Sequence, residues 1–506
     1  MGGPLSDAAL SVDALDAGGG DDRLRRAIGL ALAPLVFAGL WLAPLELSAP
    51  AHRLAAILGT VVVLWVTEAI PMVVTALLGV AAAVALGVAP AKEAFAAFAD
   101  PLVFVFVGTF ITARAIFFHG LDRRFAYGIL ALPFVEARPR RVLAAYVATG
   151  VLISMWISNT ATVAMLYPIG LSLLTVLESR GATGPRYASA LLLGASFAVA
   201  IGGLATPVGT PPNMIGLGFL RNEIAYDLPF FSWMALGVPV SAVLAVACVL
   251  LLGRTAPAGG RVEALAHAIA AERRALGPWT LGQVNALIAF AVTVLLWVAP
   301  GFMALAWGTQ DPLYKAFTTY VPEPVAALIG ASLLFVLPVD VRRLEFTLPW
   351  EEAVRIDWWI VFLYGGGLAL GTMAFQTGLA EAMGRALVGL LGVHGELGLL
   401  AFSTAMATVL SETTSNTAAA NMIVPIAIAL AEAAGTDPVL PVLGASLGSS
   451  LGFMLPVSTP CNAIVYASGR IPLRDMMRRG IVMDVVGVVL IVATLAVLGP
   501  LVLEPR

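Results

Sequence analysis

A soluble fold hides its apolar residues beneath a charged shell, and this chain has almost no shell to offer. Of its 506 residues 12% are charged and 60% hydrophobic, where a soluble domain carries about 25% and about 45–50%. The same imbalance excludes intrinsic disorder. Apolar runs close to the roughly 20 residues needed to cross a bilayer recur along the chain, and helices satisfy their own backbone in lipid. The expected fold class is therefore an all-α polytopic membrane protein. A net charge of −3 argues against nucleic acid as a partner. Cys248 and Cys461 lie in apolar stretches and His52, His119, His267 and His394 are scattered. Neither set has disulfide, zinc or redox spacing.

Residues 1–26 read as a disordered cytoplasmic tail, ending in Arg23, Arg25 and Arg26, a positive-inside anchor for the first span. Uninterrupted candidate spans are 27–47, 51–70, 71–88, 101–119, 230–252, 282–301, 323–338, 357–377 and 480–503. Four further apolar stretches, 141–176, 187–220, 395–433 and 437–467, carry polar clusters at their centres. If 141–176 and 395–433 are re-entrant hairpins and the others cross once, about 11 transmembrane helices result. With the N-terminus inside, most arginines then fall in cytoplasmic loops, among them Arg123, Arg124, Arg140, Arg141, Arg273, Arg274, Arg342, Arg343, Arg478 and Arg479. The outer side keeps only Arg53, Lys92, Arg221, Lys315, Arg385 and the C-terminal Arg506. This asymmetry follows the positive-inside rule, and full crossing by either hairpin would invert every later loop. The expectation is a multi-pass protein of the plasma (inner) membrane, N-terminus cytoplasmic and C-terminus outside.

The polar clusters repeat. Ser154 stands four residues before Ser158-Asn159-Thr160, and Ser411 four before Ser415-Asn416-Thr417; each run continues apolar to a proline, Pro168 or Pro425. A second broken stretch follows in each half, Gly209-Thr210-Pro211-Pro212-Asn213 and Ser458-Thr459-Pro460-Cys461-Asn462. One hairpin enters from each side in this topology, so the two repeats are inverted. Inverted repeats with corresponding broken segments point to a secondary transporter with its site near the midplane. Broken helices free backbone N–H and C=O groups. Helix N-termini favour an anion, while hydroxyl and carbonyl oxygens are hard ligands suited to an alkali cation, by analogy with other hard cations. Asn can serve both, with a carbonyl for the cation and an amide donor for the anion. The prolines keep the helices from closing over the break.

These motifs, together with Trp65-Val-Thr-Glu68-Ala-Ile-Pro71, resemble those of the divalent anion/sodium symporter family of di- and tricarboxylate and sulfate carriers, over nearly all of residues 27–503. The resemblance implies a homodimer in the lipid bilayer, a scaffold domain (27–137 and 282–394), a transport domain that moves as an elevator (138–252 and 395–506), and a cytoplasmic linker at 253–281. It implies sodium as the coupling ion, without other cofactor. The first sodium site corresponds to Ser154, Ser158, Asn159 and the Gly209 backbone, the second to Ser411, Thr414, Asn416 and the Ser458 backbone. A small dianionic substrate would meet Asn159, Thr160, Asn416 and Thr417, with Thr210, Thr459 and Pro460 close by. Cys461 departs from the family's second proline; it lifts one φ restraint and restores an N–H.

No Lys or Arg falls in either motif, so bound cations would supply the positive charge for the anion, which is reciprocal coupling. The expected activity is sodium-coupled symport of a C4-dicarboxylate (succinate, malate or fumarate). A proton-coupled carrier, an anion exchanger, a citrate or sulfate carrier and an anion channel are the alternatives. A membrane-embedded enzyme would need His-rich, Asp-pair or Ser-Lys clusters at membrane depth, which the sequence does not offer. Other polar residues read as structural. Glu68 sits at a span end, Glu412 either tunes cation binding or balances charge, Arg114 snorkels to the cytoplasmic surface, and Asp357 is interfacial. Gly365, Gly366, Gly367 and Gly371 serve close helix packing, and Trp358 and Trp359 anchor an interface.

Overall fold

The computed structural model describes residues 21–257, 261–392 and 395–503; the expected tail up to residue 20 and Arg506 lie outside the described residues. The chain opens with α1 (Asp21–Leu42), α2 (Ala49–Thr67), α3 (Met72–Ala85) and the short α4 (Ala91–Ala94). Then come α5 (Pro101–Phe118), α6 (Leu121–Leu130), the hairpin pair α7 (Pro139–Ser154) and α8 (Asn159–Ser179), and the broken pair α9 (Pro185–Gly203) and α10 (Pro211–Ile224). Helix α11 (Phe230–Gly253) closes this half and α12 (Glu263–Ala275) links it to the next. The second half runs α13 (Leu281–Trp307), α14 (Pro312–Tyr320), α15 (Glu323–Leu333), a two-stranded ribbon of β1 (Pro338–Asp340) and β2 (Glu345–Phe346), α16 (Trp350–Ala353), α17 (Trp358–Gln376) and α18 (Leu379–Leu391). It ends in a hairpin, α19 (Glu396–Thr413) and α20 (Asn416–Ala433), a broken pair, α21 (Val439–Gly448) and α22 (Pro460–Tyr466), and α23 (Leu473–Val502).

Among the described residues ten helices are long and apolar enough to cross a membrane, and α3, α15 and α21 are apolar but shorter. The four interrupted stretches break where the polar clusters stand: between Ser154 and Asn159, Gly203 and Pro211, Thr413 and Asn416, and Gly448 and Pro460. Several boundaries differ from expectation: α1 ends at Leu42, α13 runs on to Trp307 and α23 begins at Leu473, against expected limits of 47, 301 and 480. Helix α1 begins at Asp21, so residues 21–26 are helical rather than tail. The span expected over 323–338 stops at Leu333. Pro338 cannot continue a helix and disfavours helical geometry at the residue before it, and the chain turns there into the ribbon.

Packing repeats between the halves. Helix α7 lies on α9 as α19 lies on α21, and α11 packs on α7 and α9 as α23 packs on α19 and α21. The halves also interlock crosswise. Helix α10 packs on α20 and α21, and its counterpart α22 packs on α8 and α9. Close approach is possible because the contact residues are small. A Cβ on Gly216 would lie 2.0 Å from Ser446 Oγ, and one on Gly202 would lie 2.4 Å from the Val151 carbonyl. The triple glycine does the same on α17, where Gly365 meets Phe98, Gly366 meets Ala76 and Gly367 meets Asn421. Helices α1, α2, α3 and α17, together with parts of α18 and α20, form a second apolar cluster beside the main core.

Candidate functional site

The local chemistry of Ser-Asn-Thr decides where each hairpin restarts. Ser158 caps α8 by accepting the Ala161 N–H at 3.3 Å, and Ser415 caps α20 by accepting the Ala418 N–H at 3.2 Å. Short hydroxyl side chains compete with the backbone for these donors and so favour the cap over the helix interior. The following Asn is then the first helical residue in each arm. At the second breaks Thr210 and Thr459 are extended cap residues (φ −152° and −145°), and the proline after each opens the next helix. Proline suits this first helical position, since its missing N–H has no partner to lose.

Asn213 and Asn462 brace the two breaks identically. The Asn213 amide donates to the carbonyls of Gly203 and Thr206, both at 2.8 Å. The Asn462 amide donates to those of Gly452 and Leu455, again both at 2.8 Å. The acceptors stand ten and seven residues earlier in both cases. They are orphan carbonyls left where the chain unwinds, which would be costly unpaired at membrane depth.

Around these braces most of the proposed first-site oxygens converge. Ser154 Oγ lies 2.6 Å from the Asn159 amide. With its nitrogen directed at the broken helix, that amide also donates to the Val199 carbonyl at 3.0 Å and the Gly209 carbonyl at 3.3 Å. A Cβ on Gly203 would lie 3.0 Å from that amide nitrogen and 3.2 Å from Thr210 Cβ. In the second half Ser411 Oγ lies 2.8 Å from Asn416 Oδ1 and 2.7 Å from the Ser449 carbonyl, either of which can accept its single proton, and the Asn416 amide reaches the Ser450 carbonyl at 3.4 Å. A Cβ on Gly452 would meet Ser411 Oγ at 3.3 Å, Asn416 Oδ1 at 3.4 Å and Ser458 Cβ at 3.4 Å. Ser154, Ser411 and Ser458 are fully buried.

Two expected ligands point elsewhere. The Thr414 hydroxyl donates to the Trp65 carbonyl at 3.0 Å, and Ser158 Oγ is occupied as a cap. Of the anion-binding candidates, Thr160 is exposed. Thr459 accepts the Asn462 N–H at 3.1 Å, Thr210 and Thr417 are buried, and Pro460 is exposed. Ser196 on α9 donates to Asn462 Oδ1 at 2.5 Å, so the second brace is itself tied to the first half.

The halves also differ around Glu412. Glu412 accepts the N–H groups of Met454 (2.8 Å) and Leu455 (3.1 Å) and the Ser458 hydroxyl (2.7 Å), so its carboxylate caps the unwound segment. Its carboxyl also meets that of Asp484 on α23, which accepts the Phe453 N–H at 3.4 Å. The first half has Met155 at the position of Glu412 and answers with Thr206, whose hydroxyl donates to the Met155 carbonyl at 2.5 Å. Sequence reasoning left Glu412 between two roles because the N–H groups it caps lie some forty residues away. The role of the Trp65–Pro71 stretch was hidden for the same reason. Trp65 Nε1 donates to the Met72 carbonyl at 3.1 Å, and Ser415 Oγ contacts Met72 Sδ at 3.1 Å, so this turn seats the second hairpin tip. Glu68 pairs with Arg25 at 2.5 Å. Arg114 forms an ion pair with Glu352 on α16, and that contact holds the Glu352 carboxyl below the usual carboxylate range.

Membrane-length helices folded around two matching breaks, each lined by hydroxyl, amide and carbonyl oxygens, define a membrane transporter rather than an enzyme. The chain belongs to the sodium:sulfate symporter family: the model described as the sodium:sulfate symporter transmembrane region matches residues 25–503. Among curated relatives, the sodium-dependent dicarboxylate transporter SdcS of Staphylococcus saprophyticus is 32% identical over 493 residues, covering 94% of this chain and 92% of that protein. SdcS of Staphylococcus aureus is 31% identical over 494 residues with the same coverage. The fold is shared with the YdaH transporter of Alcanivorax borkumensis (TM-score 0.53, 13% identity, 95% of this chain and 98% of that one). It is also shared with MtrF of Neisseria gonorrhoeae (TM-score 0.52, 12% identity, 92% and 97%).

Proposed function

We propose that this chain performs sodium-coupled symport of a divalent anion, with a C4-dicarboxylate such as succinate, malate or fumarate as cargo. The observation that carries the reading is the duplicated geometry: Ser154 with Asn159 and Gly209, and Ser411 with Asn416, gathered against glycines that stand ten residues before the bracing asparagines. Neutral oxygens of this kind suit sodium. The first site is Ser154, Asn159 and the Gly209 carbonyl, and the second is Ser411, Asn416 and the Ser458 backbone; Ser158 and Thr414, whose hydroxyls serve as a cap and as a donor to Trp65, stand at their edges. The dianion lies between them against Asn159, Thr160, Thr210, Asn416, Thr417, Thr459 and Pro460. Neither motif brings a basic side chain, so sodium provides the charge that holds the dianion, and each ligand raises the affinity of the other. The dicarboxylate cargo is supported by the SdcS relatives, which are sodium-dependent dicarboxylate transporters.

The two halves are inverted repeats. Segments 138–252 and 395–506 form a transport domain that travels as an elevator against a scaffold of 27–137 and 282–394, in a homodimer of the plasma membrane with the N-terminus cytoplasmic and the C-terminus outside. The matched packing of α7–α11 and α19–α23 supports the repeat. The test is uptake of radiolabelled succinate into proteoliposomes. An inward sodium gradient drives accumulation and replacement by choline abolishes it. Undiminished uptake in choline overturns the sodium coupling, and single-channel currents overturn the carrier mechanism.

A further inference from the structure

Away from the broken helices, where α5 hands over to α6 and α13 begins, a cleft of about 300 Å³ opens between α6 and the end of α12. Arg124 forms one wall and is held rigidly. Its Nη2 donates to the carbonyls of Leu276, Gly277 and Pro278 at 2.8, 3.0 and 3.1 Å. Its guanidinium lies over the Trp279 ring, 4.9 Å from the centroid. The Arg124 Nε is buried without a hydrogen-bond partner among the described residues. Arg273, exposed in the last turn of α12, forms the facing wall. The remaining lining includes Phe125, Ile129 and Leu132, with Phe125 and Leu132 open to the surroundings. No carboxylate is among the described residues that line the cleft.

Two guanidinium groups lining a cavity without a counter-charge call for an anion; with Arg124 Nη2 held by carbonyls and its Nε buried, Arg124 adds charge and the fork of Arg273 is the one that matches phosphate oxygens. Apolar and aromatic walls at the end of membrane-length helices call for something that is also greasy, since the indole belongs at the headgroup level of a bilayer. The volume reaches the lower end of small-ligand sites. Basic pockets between helices at a membrane face are suited to anionic headgroups. We propose that this cleft binds an anionic phospholipid, with the phosphodiester between Arg124 and Arg273 and an acyl chain leaving along Phe125 and Leu132.

The test uses the full-length protein in phosphatidylcholine nanodiscs, titrated with phosphatidylglycerol and followed by thermal unfolding. Phosphatidylglycerol raises Tm by roughly 2–5 °C, while further phosphatidylcholine and soluble glycerol 3-phosphate do not. Arg273→Ala, a change at an exposed residue, leaves Tm in pure phosphatidylcholine unaltered and removes most of the rise; Arg273→Lys restores part of it. The proposal is overturned if Arg273→Ala keeps the full rise, if glycerol 3-phosphate reproduces it, or if Arg478→Ala at another exposed basic position removes as much.

Discussion

The two bracing asparagines concentrate the energetics of the breaks in single side chains. Asn462→Ala strands the Gly452 and Leu455 carbonyls, and Asn213→Ala strands those of Gly203 and Thr206. Orphaned buried polar groups cost about 1–3 kcal/mol each, so each variant should melt several degrees below wild type in detergent. An unchanged Tm would mean that the breaks hold without them. Asp122 on α6 behaves in the opposite sense. It is buried, Oδ1 has no partner among the described residues, and burial pushes its carboxyl up to about 6. The folded state therefore holds the proton more tightly than the unfolded one. This raised value gives stability that is fully present below about pH 4 and falls as pH rises toward about 6, then stays level. Asp122→Asn should flatten that decline and stabilise the protein at pH 7.5 by about 2 kcal/mol; a Tm–pH curve parallel to wild type would refute this. Residue identities at the breaks were legible in the sequence because Ser-Asn-Thr and Thr-Pro act locally, as caps and helix starts. Glu412 and Arg114 were not, because each is defined by a partner far along the chain.

At the scale of elements, the glycines of the broken helices control how closely oxygen ligands gather. A methyl on Gly452 lands 3.3–3.4 Å from Ser411, Asn416 and Ser458, and one on Gly203 lands 3.0 Å from Asn159. Both variants should fold, since the crowded atoms are mainly side chains at the site. Gly203→Ala should weaken sodium-dependent thermal stabilisation more than Gly452→Ala, because its contact is the tighter. Equal sodium responses in the two variants and wild type would remove these glycines from cation binding. The element boundaries follow local signals closely where prolines mark helix starts, at Pro101, Pro139, Pro185, Pro211 and Pro460. The amphipathic α6, α12 and α18 escaped a search for apolar runs, since their charged faces break the run while one side packs.

Across the whole molecule, the C-terminal end of α10 is tied to α17 and to the turn before α5 by polar clasps. Asp100 accepts the Tyr364 hydroxyl at 3.0 Å and the Asn222 amide at 3.0 Å, and Thr372 donates to Glu223. If the transport domain moves against the scaffold, the Asn222–Asp100 and Thr372–Glu223 contacts break in each cycle, while Tyr364–Asp100 stays within the scaffold. Asn222→Ala and Thr372→Val should then alter turnover several-fold, as expected for removing about 1–2 kcal/mol from one state of a two-state equilibrium, with the half-saturating substrate concentration little changed. A change in affinity alone, with turnover intact, would place these residues in binding instead of motion.

The sequence by itself determined that the chain is a multi-pass membrane protein, where its helices break, and which hydroxyls and amides stand at the breaks. These outcomes follow from segment hydropathy, proline and capping chemistry, all of which act within a few residues. Only the tertiary structure decided how the breaks are held and joined. It turned Asn213 and Asn462 into braces, set Glu412 over an unwound segment some forty residues away, and used the Trp65–Pro71 turn to seat the second hairpin. It also crossed α10 and α22 into opposite halves. Contacts between segments far apart in the chain depend on packing of whole helices, and a local pattern of residues does not specify which distant group will lie within 3 Å.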